Sequence, residues 1–223
     1  MMSLIDHLSP DFLGRLLAGM ALNFAIAGTA LALGLALGVP LALARVSGGL
    51  AGAASALVVT FLRAAPTFVV MFFLLNVVPR EMSLFGTALS LSGTTAVALS
   101  LVPYSTAYVA DSGAEALRQL RLGSTPAALL FLPNVARAFF VLVMSSSAGA
   151  AIGVTEGITV ILRQAERLPA LGDRLALFAV GILCFGATLQ AGFAAVNLLR
   201  RHLNRVALRR LTVQPGPYRT ESP

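Results

Sequence analysis

The chain reads as an all-α integral membrane protein with five membrane-spanning helices, and the placement of its charges is the first reason. No charged residue lies between Arg15 and Arg45, Glu81 and Asp111, Arg137 and Glu156, or Arg174 and Arg200, and each gap holds 18 or more mostly apolar residues. About 20 helical residues cross the roughly 30 Å hydrocarbon layer of a bilayer, so each gap is a candidate span. A fifth stretch, residues 46–79, is interrupted only by Arg63. Composition is the second reason: 57% of the residues are hydrophobic and 11% charged, against about 25% charged in a soluble domain. The third is the arrangement of arginine. If five spans alternate across the bilayer, Arg45, Arg118, Arg121 and the cluster Arg200, Arg201, Arg205, Arg209, Arg210 and Arg219 fall on one side. Arg15, Arg80, Arg163, Arg167 and Arg174 fall on the other, interleaved with Asp6, Asp11, Glu81, Glu166 and Asp173. Cytoplasmic loops carry the arginine excess, so the carboxy terminus is expected inside and the amino terminus outside.

Span one is expected over residues 16–44, where Gly34 and Gly38 form a small-xxx-small pair that permits close helix contact. Arg45 to Gly49 then forms a turn. Span two runs from about 54 to 78 and contains Pro66, which removes a helix hydrogen bond and predicts a bend. Span three, 85–110, holds Pro103, and Tyr104 and Tyr108 are four apart and share a face. A short amphipathic helix, Glu115 to Arg121, is closed by Gly123. Span four follows Pro133 and ends near Ile161, with Gly149, Gly153 and Gly157 at intervals of four. Span five is 175–199. Residues 14–201 thus form one transmembrane domain, and 202–223 a basic cytoplasmic tail that ends in a disordered Pro215-Gly216-Pro217 segment. No internal repeat is evident.

Several function classes fall away. His7 and His202 lie outside the spans, no paired acid occurs within them, and Ser145-Ser146-Ser147 has no base nearby in sequence, so no activated nucleophile is expected. Lysine is absent and with it any P-loop; no cofactor and no metal site is expected, and Cys184 stands alone. The opening residues lack the basic run of a secretory signal, so the first apolar segment is expected to stay as a helix. The net charge of +7 gathers beside the last span, which fits the lipid bilayer rather than nucleic acid. Arg63 and Glu156 are the ionisable groups that fall within or beside the apolar layer, where burial costs at least about 2.5 kcal/mol. Each either faces the bundle interior or marks a helix end near the headgroups.

Four short motifs carry a resemblance. Phe61-Leu62-Arg63-Ala64-Ala65-Pro66-Thr67 is similar to a Phe-Arg-Gly-Thr-Pro signature, and Ala107-Tyr108-Val109-Ala110-Asp111 to Ala-Tyr-x-x-Glu with Asp111 in place of Glu. Leu132-Pro133-Asn134-Val135-Ala136-Arg137 is similar to Leu-Pro-Gln-Ala-x-Arg, and Ile152-Gly153-Val154-Thr155-Glu156 to Ile-Gly-Val-x-Glu. Their order and the five-span layout, from about Gly14 to Arg201, resemble permease subunits of polar amino acid ATP-binding cassette importers of the type I kind. Two departures stand out. The family's coupling loop, Gly-Gln-x-Glu-Ala-Ala, is matched only at its start by Gly123-Ser124-Thr125-Pro126-Ala127-Ala128, and Pro133 arrives about a dozen residues early, the loss of about 18 Å of helix. The family's Lys-Asp-Thr-Ser reads Met144-Ser145-Ser146-Ser147, without either charge.

The resemblance implies a subunit of an importer for polar amino acids or similar small solutes in a bacterial inner membrane. It also implies cytoplasmic ATPase subunits that hydrolyse ATP on separate chains, an extracytoplasmic solute-binding protein and a second permease subunit. Arg63, Asn76, Tyr104, Tyr108, Asn134 and Glu156 become candidates for the translocation path, Pro66 and Pro103 for helix bends. Glu115, Arg118, Arg121, Gly123, Pro126, Ala127 and Ala128 become candidates for the ATPase coupling loop. Two other readings remain open: a permease-derived assembly or regulatory subunit no longer coupled to ATP, and an ungated channel or secondary carrier.

The arginine asymmetry predicts that a reporter fused after Arg210 scores cytoplasmic and one placed before Asp11 extracytoplasmic. Both ends on one side would exclude an odd number of spans.

Overall fold

The computed structural model describes residues 10–78, 81–84 and 87–212, and within them the fold is helical apart from one hairpin. Helix α1 (Pro10–Ser47) leads to α2 (Gly49–Ala64) and α3 (Thr67–Val77). Strands β1 (Glu81–Leu84) and β2 (Thr87–Ser90) pair antiparallel, with Glu81 opposite Ser90 and Leu84 opposite Thr87. Then come α4 (Gly93–Arg121), α5 (Thr125–Ala128), α6 (Phe131–Ser145), a 3-10 segment (Ser146–Ile152), α7 (Gly157–Glu166) and α8 (Leu171–Thr212).

Three of these stretches are long and apolar enough to cross a membrane: α1, residues 131–152 and residues 171–205. The pair α2 and α3 passes jointly but is bent by 87°, so it is a broken span or a re-entrant loop. The break falls at Ala65 and Pro66, both extended, and Pro66 lacks the N–H that would continue the helix, which is the bend the sequence predicts. Helix α4 is too polar to pass that test. Its position accounts for this: α1, α2, α3 and α6 surround it, and Ser100, Ser105 and Thr106 are buried in its contacts rather than turned to lipid.

Three sequence expectations need correction. The all-α reading holds, but span three begins later than expected, because a short hairpin lies where it was expected to start; Phe85 itself lies outside the described residues. The helix starts at Gly93, where the Ser92 hydroxyl accepts a hydrogen bond from the Thr95 N–H (3.1 Å) and caps the first turn. Span four does not continue to Ile161 either. It narrows to a 3-10 segment after Ser145 and stops at Gly153, whose φ of 80° is left-handed. There the Gly153 N–H donates to the Ala150 carbonyl and the Val154 N–H to that of Gly149, a double C-terminal cap. Gly149, Gly153 and Gly157 therefore do not form a ladder on one helix. Finally, Glu115 to Arg121 is no separate helix but the last two turns of α4, closed by the same double cap at Gly123 (φ 76°).

The core has three parts. One joins Ile26, Ala27 and Ala30 of α1 to Met71, Val97, Leu101, Leu142 and Val143. A second packs Phe12, Leu16 and Met20 against Val160, Ile161, Leu168 and Leu177. A small third places Val59 against Ala107 and Ala110. Helices α1 and α4 cross closely where Gly34 faces Ser105 and Gly38 faces Thr106 and Val109. A Cβ on Gly38 would stand 2.8 Å from the Thr106 carbonyl oxygen, and one on Gly34 would overlap the Ser105 side chain. The small-xxx-small pair thus does what its spacing predicts.

Helix α8 has only 11% of its most apolar window buried, and α3 exposes Phe68, Val69, Phe72 and Phe73. Such wide apolar exposure suits lipid or a second membrane subunit. The helix continues past Arg201 to Thr212; the Pro215-Gly216-Pro217 segment lies outside the described residues.

Gly34→Val and Gly38→Val are expected to pry α1 from α4 and to destabilise the protein by roughly 1–3 kcal/mol or more, while Gly28→Val, with open space at its Cβ, should cost far less. Unfolding in mixed detergent micelles measures the difference.

Candidate functional site

Two polar centres lie at opposite ends of the bundle. The first forms because the break after Gly153 leaves the first turn of α7 with unpaired N–H groups in apolar surroundings. Glu156 is the cap: its Oε2 accepts from the Ile158 N–H (2.9 Å) and its Oε1 from the Thr159 N–H (2.8 Å), while the Thr159 hydroxyl shares its one proton between the Val154 carbonyl (2.6 Å) and Oε1 (3.0 Å). Asn23 of α1 donates from Nδ2 to Glu156 Oε2 (3.0 Å) and to Ser146 Oγ (2.8 Å), and its Oδ1 accepts from the Gly157 N–H (3.1 Å). Ser146 in turn donates to the Val143 carbonyl (2.7 Å). Asn23, Ser146 and Glu156 are all 0% exposed. Every contact donates to the carboxylate, and no cation pairs with it among the described residues. The helix N-terminus and four hydrogen bonds hold it instead. Gly19 makes room, since a Cβ there would meet the Gly157 nitrogen at 2.8 Å.

The second centre is ionic. Asp111, on α4, bridges Arg45 at the end of α1 and Arg63 at the end of α2, one carboxylate oxygen to each. Arg63 lies three residues before Pro66, so the bridge ties the 87° bend to two other helices. The Arg121 guanidinium donates to the Val46 carbonyl (2.6 Å) and covers a free acceptor at the end of α1. Arg118 pairs with Glu115 at 3.5 Å, and Gln119 donates to Glu115 at 2.8 Å. Beyond them Ser112, Glu115, Gln119, Ala127, Leu130 and Asn134 line a notch of about 190 Å³.

The remaining candidates distribute as follows. Tyr104 and Tyr108 share one face of α4, with ring centroids 6.1 Å apart. Asn76 lies exposed at the end of α3 and bonds back to the Phe72 carbonyl at 2.7 Å. Asn134 joins the coupling-loop residues at the notch rather than the tyrosines. Glu156 faces packed protein, not an open passage, in this conformation. Pro103 sits inside α4 without ending it. Pro126, Ala127 and Ala128 lie in α5, a helix of only 4 residues. Sequence reading missed Asn23 and the bridging role of Asp111. A lone Asn in an otherwise apolar span was the available signal for the first, and the second was visible only as a motif match.

Long apolar helices exposed over much of their length make this a multi-pass membrane protein. No protein-family model and no curated protein matches the chain. Among solved structures it is similar to a chain of an amino acid ABC transporter determined with histidines, with a TM-score of 0.67 and 17% identity over 91% of this chain and 99% of that one. The two chains therefore share a fold.

Asn23→Leu should expose the demands of the buried centre, because it removes two donors and an acceptor while leaving a buried carboxylate behind. The expected loss is about 2–4 kcal/mol. Glu156→Gln keeps the shape and one acceptor and should cost less. Detergent unfolding of both variants tests the ordering, and equal or reversed losses would mean that Asn23 is not what completes the carboxylate's shell.

Proposed function

We propose that this chain is a membrane-spanning subunit of an ATP-driven importer for polar amino acids or similar small solutes, working by alternating access. It crosses the bilayer five times, with α4 and the bent pair α2 and α3 counted as spans and the carboxy terminus in the cytoplasm of a bacterial inner membrane. ATP is hydrolysed on separate cytoplasmic subunits, an extracytoplasmic binding protein delivers the solute, and a second permease supplies the other half of the path. The observation that carries this reading is the Arg45–Asp111–Arg63 bridge. It joins the two motifs that most resemble the importer family, Phe61 to Thr67 and Ala107 to Asp111, across 48 residues of sequence. It also sits beside a helix break, where a change of partners would alter the bend. The shared fold supports the same reading.

A second reading, a permease-derived subunit that no longer couples to ATP, is favoured by one observation. Where the family would carry a long coupling helix, only the 4-residue α5 separates α4 from α6. Two turns of α4 and the notch beside Asn134 still offer a contact, so coupling through this chain is expected to be weak, with most of it borne by the partner permease.

Isolation of the complex from its native membrane should recover ATPase, binding-protein and second-permease subunits. In proteoliposomes Arg63→Ala and Asp111→Asn should lower solute uptake several-fold at equal membrane abundance, because each breaks the bridge in a part-exposed setting where stability alone changes little. Wild-type uptake in both variants would return the bridge to a helix-end contact. Deletion of residues 114–123 should lower solute-stimulated ATP hydrolysis only modestly, whereas damage to the partner's loop abolishes it. Solute-dependent hydrolysis by a complex holding two copies of this chain and no other permease would contradict that division.

A further inference from the structure

Arg15 of α1 and Arg163 and Arg167 of α7 converge on a concavity of about 150 Å³, completed by Thr155, Val160 and Gln164. All three arginines are exposed, and none pairs with a carboxylate among the described residues, although Asp11 and Glu166 are close in sequence. Arg163 makes one bond, from Nη1 to the Thr155 hydroxyl (3.2 Å). Like charges gathered without a counter-ion repel one another, so an anion placed among them is bound more tightly than by any one alone.

Position decides which anion. Arg15 is the last charge before the uncharged stretch 16–44, so it marks the level at which α1 enters the hydrocarbon. The two helices that carry the arginines pack through Phe12, Leu16, Val160 and Ile161, and Val160 also lines the concavity. At that level the phosphates of an anionic leaflet are held at high density against the protein, whereas a free anion reaches it only from dilute solution. We propose that this concavity binds the phosphate of an anionic phospholipid headgroup and so fastens α7 to the start of α1. Thr155 is the one lining residue that also lies in a motif behind the transport reading; none of the three arginines does, and the two proposals stand or fall separately.

The test uses the delipidated full chain in neutral detergent, titrated with dioctanoyl phosphatidylglycerol while thermal unfolding is followed. A saturable rise in Tm is expected, absent with dioctanoyl phosphatidylcholine or inorganic phosphate at the same concentration. The variant R15Q/R163Q/R167Q should weaken the apparent affinity by about tenfold or more, whereas R201Q/R205Q, in the basic end of α8, should stay within about twofold of wild type. Should the triple variant fail to fold, R167Q alone is expected to weaken affinity about threefold. Equal stabilisation by phosphatidylcholine would overturn the proposal, as would full stabilisation by inorganic phosphate alone, which would make this a free-anion site. Loss of the effect in R201Q/R205Q instead of the concavity variants would move lipid binding to α8. Arginine-dependent capture of an acidic extracytoplasmic protein with no response to lipid would make it a protein contact.

Discussion

A helix cannot stop inside an apolar layer unless something answers its free backbone groups, and that constraint organises this fold. Each unsatisfied N–H or C=O in hydrocarbon costs several kcal/mol. The chain breaks its fourth long helix after Ile152 and restarts at Gly157, which creates such groups on both sides of the gap. Gly153 answers the outgoing side by adopting a left-handed backbone that lets two N–H groups reach back to Ala150 and Gly149. Glu156 answers the incoming side, and Asn23 spans the space between them from α1. The carboxylate is therefore both a cap and the point at which three segments are pinned.

At the other end of the bundle the same problem is solved with charge. Helices α1, α2 and α4 bring Arg45, Arg63 and Asp111 together, and one carboxylate serves two guanidinium groups. This site is partly exposed, with side-chain accessibilities of 28%, 63% and 34% for Arg45, Arg63 and Asp111, so its contribution to stability is small. Its consequence is geometric: it fixes where the broken pair α2 and α3 sits against α4. The two ends of the bundle thus differ in kind, one sealed and hydrogen-bonded, the other partly exposed and ionic.

Charge gaps, the Gly34 and Gly38 pair and the Pro66 break were legible because each follows from a local rule: length of an apolar run, absence of a Cβ, absence of an N–H. The hairpin before Gly93 was not, since residues 82–110 carry no charge to mark where the span ends. The interruption at Gly153 escaped for the same reason; the gap from Arg137 to Glu156 reads as one span although its last turns are 3-10. Glu156 was singled out as an ionisable group at the edge of the apolar layer, yet its partner on α1, Asn23, lies 133 residues away in sequence, and no spacing rule reaches it. Asp111 was recognised only by motif, because its pairing with Arg45 and Arg63 depends on how three helix ends converge.

The shape of α4 connects the two ends. It runs unbroken through 29 residues from Gly93 to Arg121, a rod of about 44 Å, and Pro103 does not end it. Its middle, at Ser105, Thr106 and Val109, lies in the close crossing with α1, Asp111 follows two residues after Val109, and its last turns border the notch with α5 and α6. Asp111 is ten residues, about 15 Å, from the final residue of the helix. A displacement applied at the notch would, on the importer reading, be delivered along a stiff element to the bridge that holds the α2 and α3 bend, without the longer loop of the family it resembles. On the importer reading, the shortened connection reduces the grip available to an ATPase but leaves the lever itself intact.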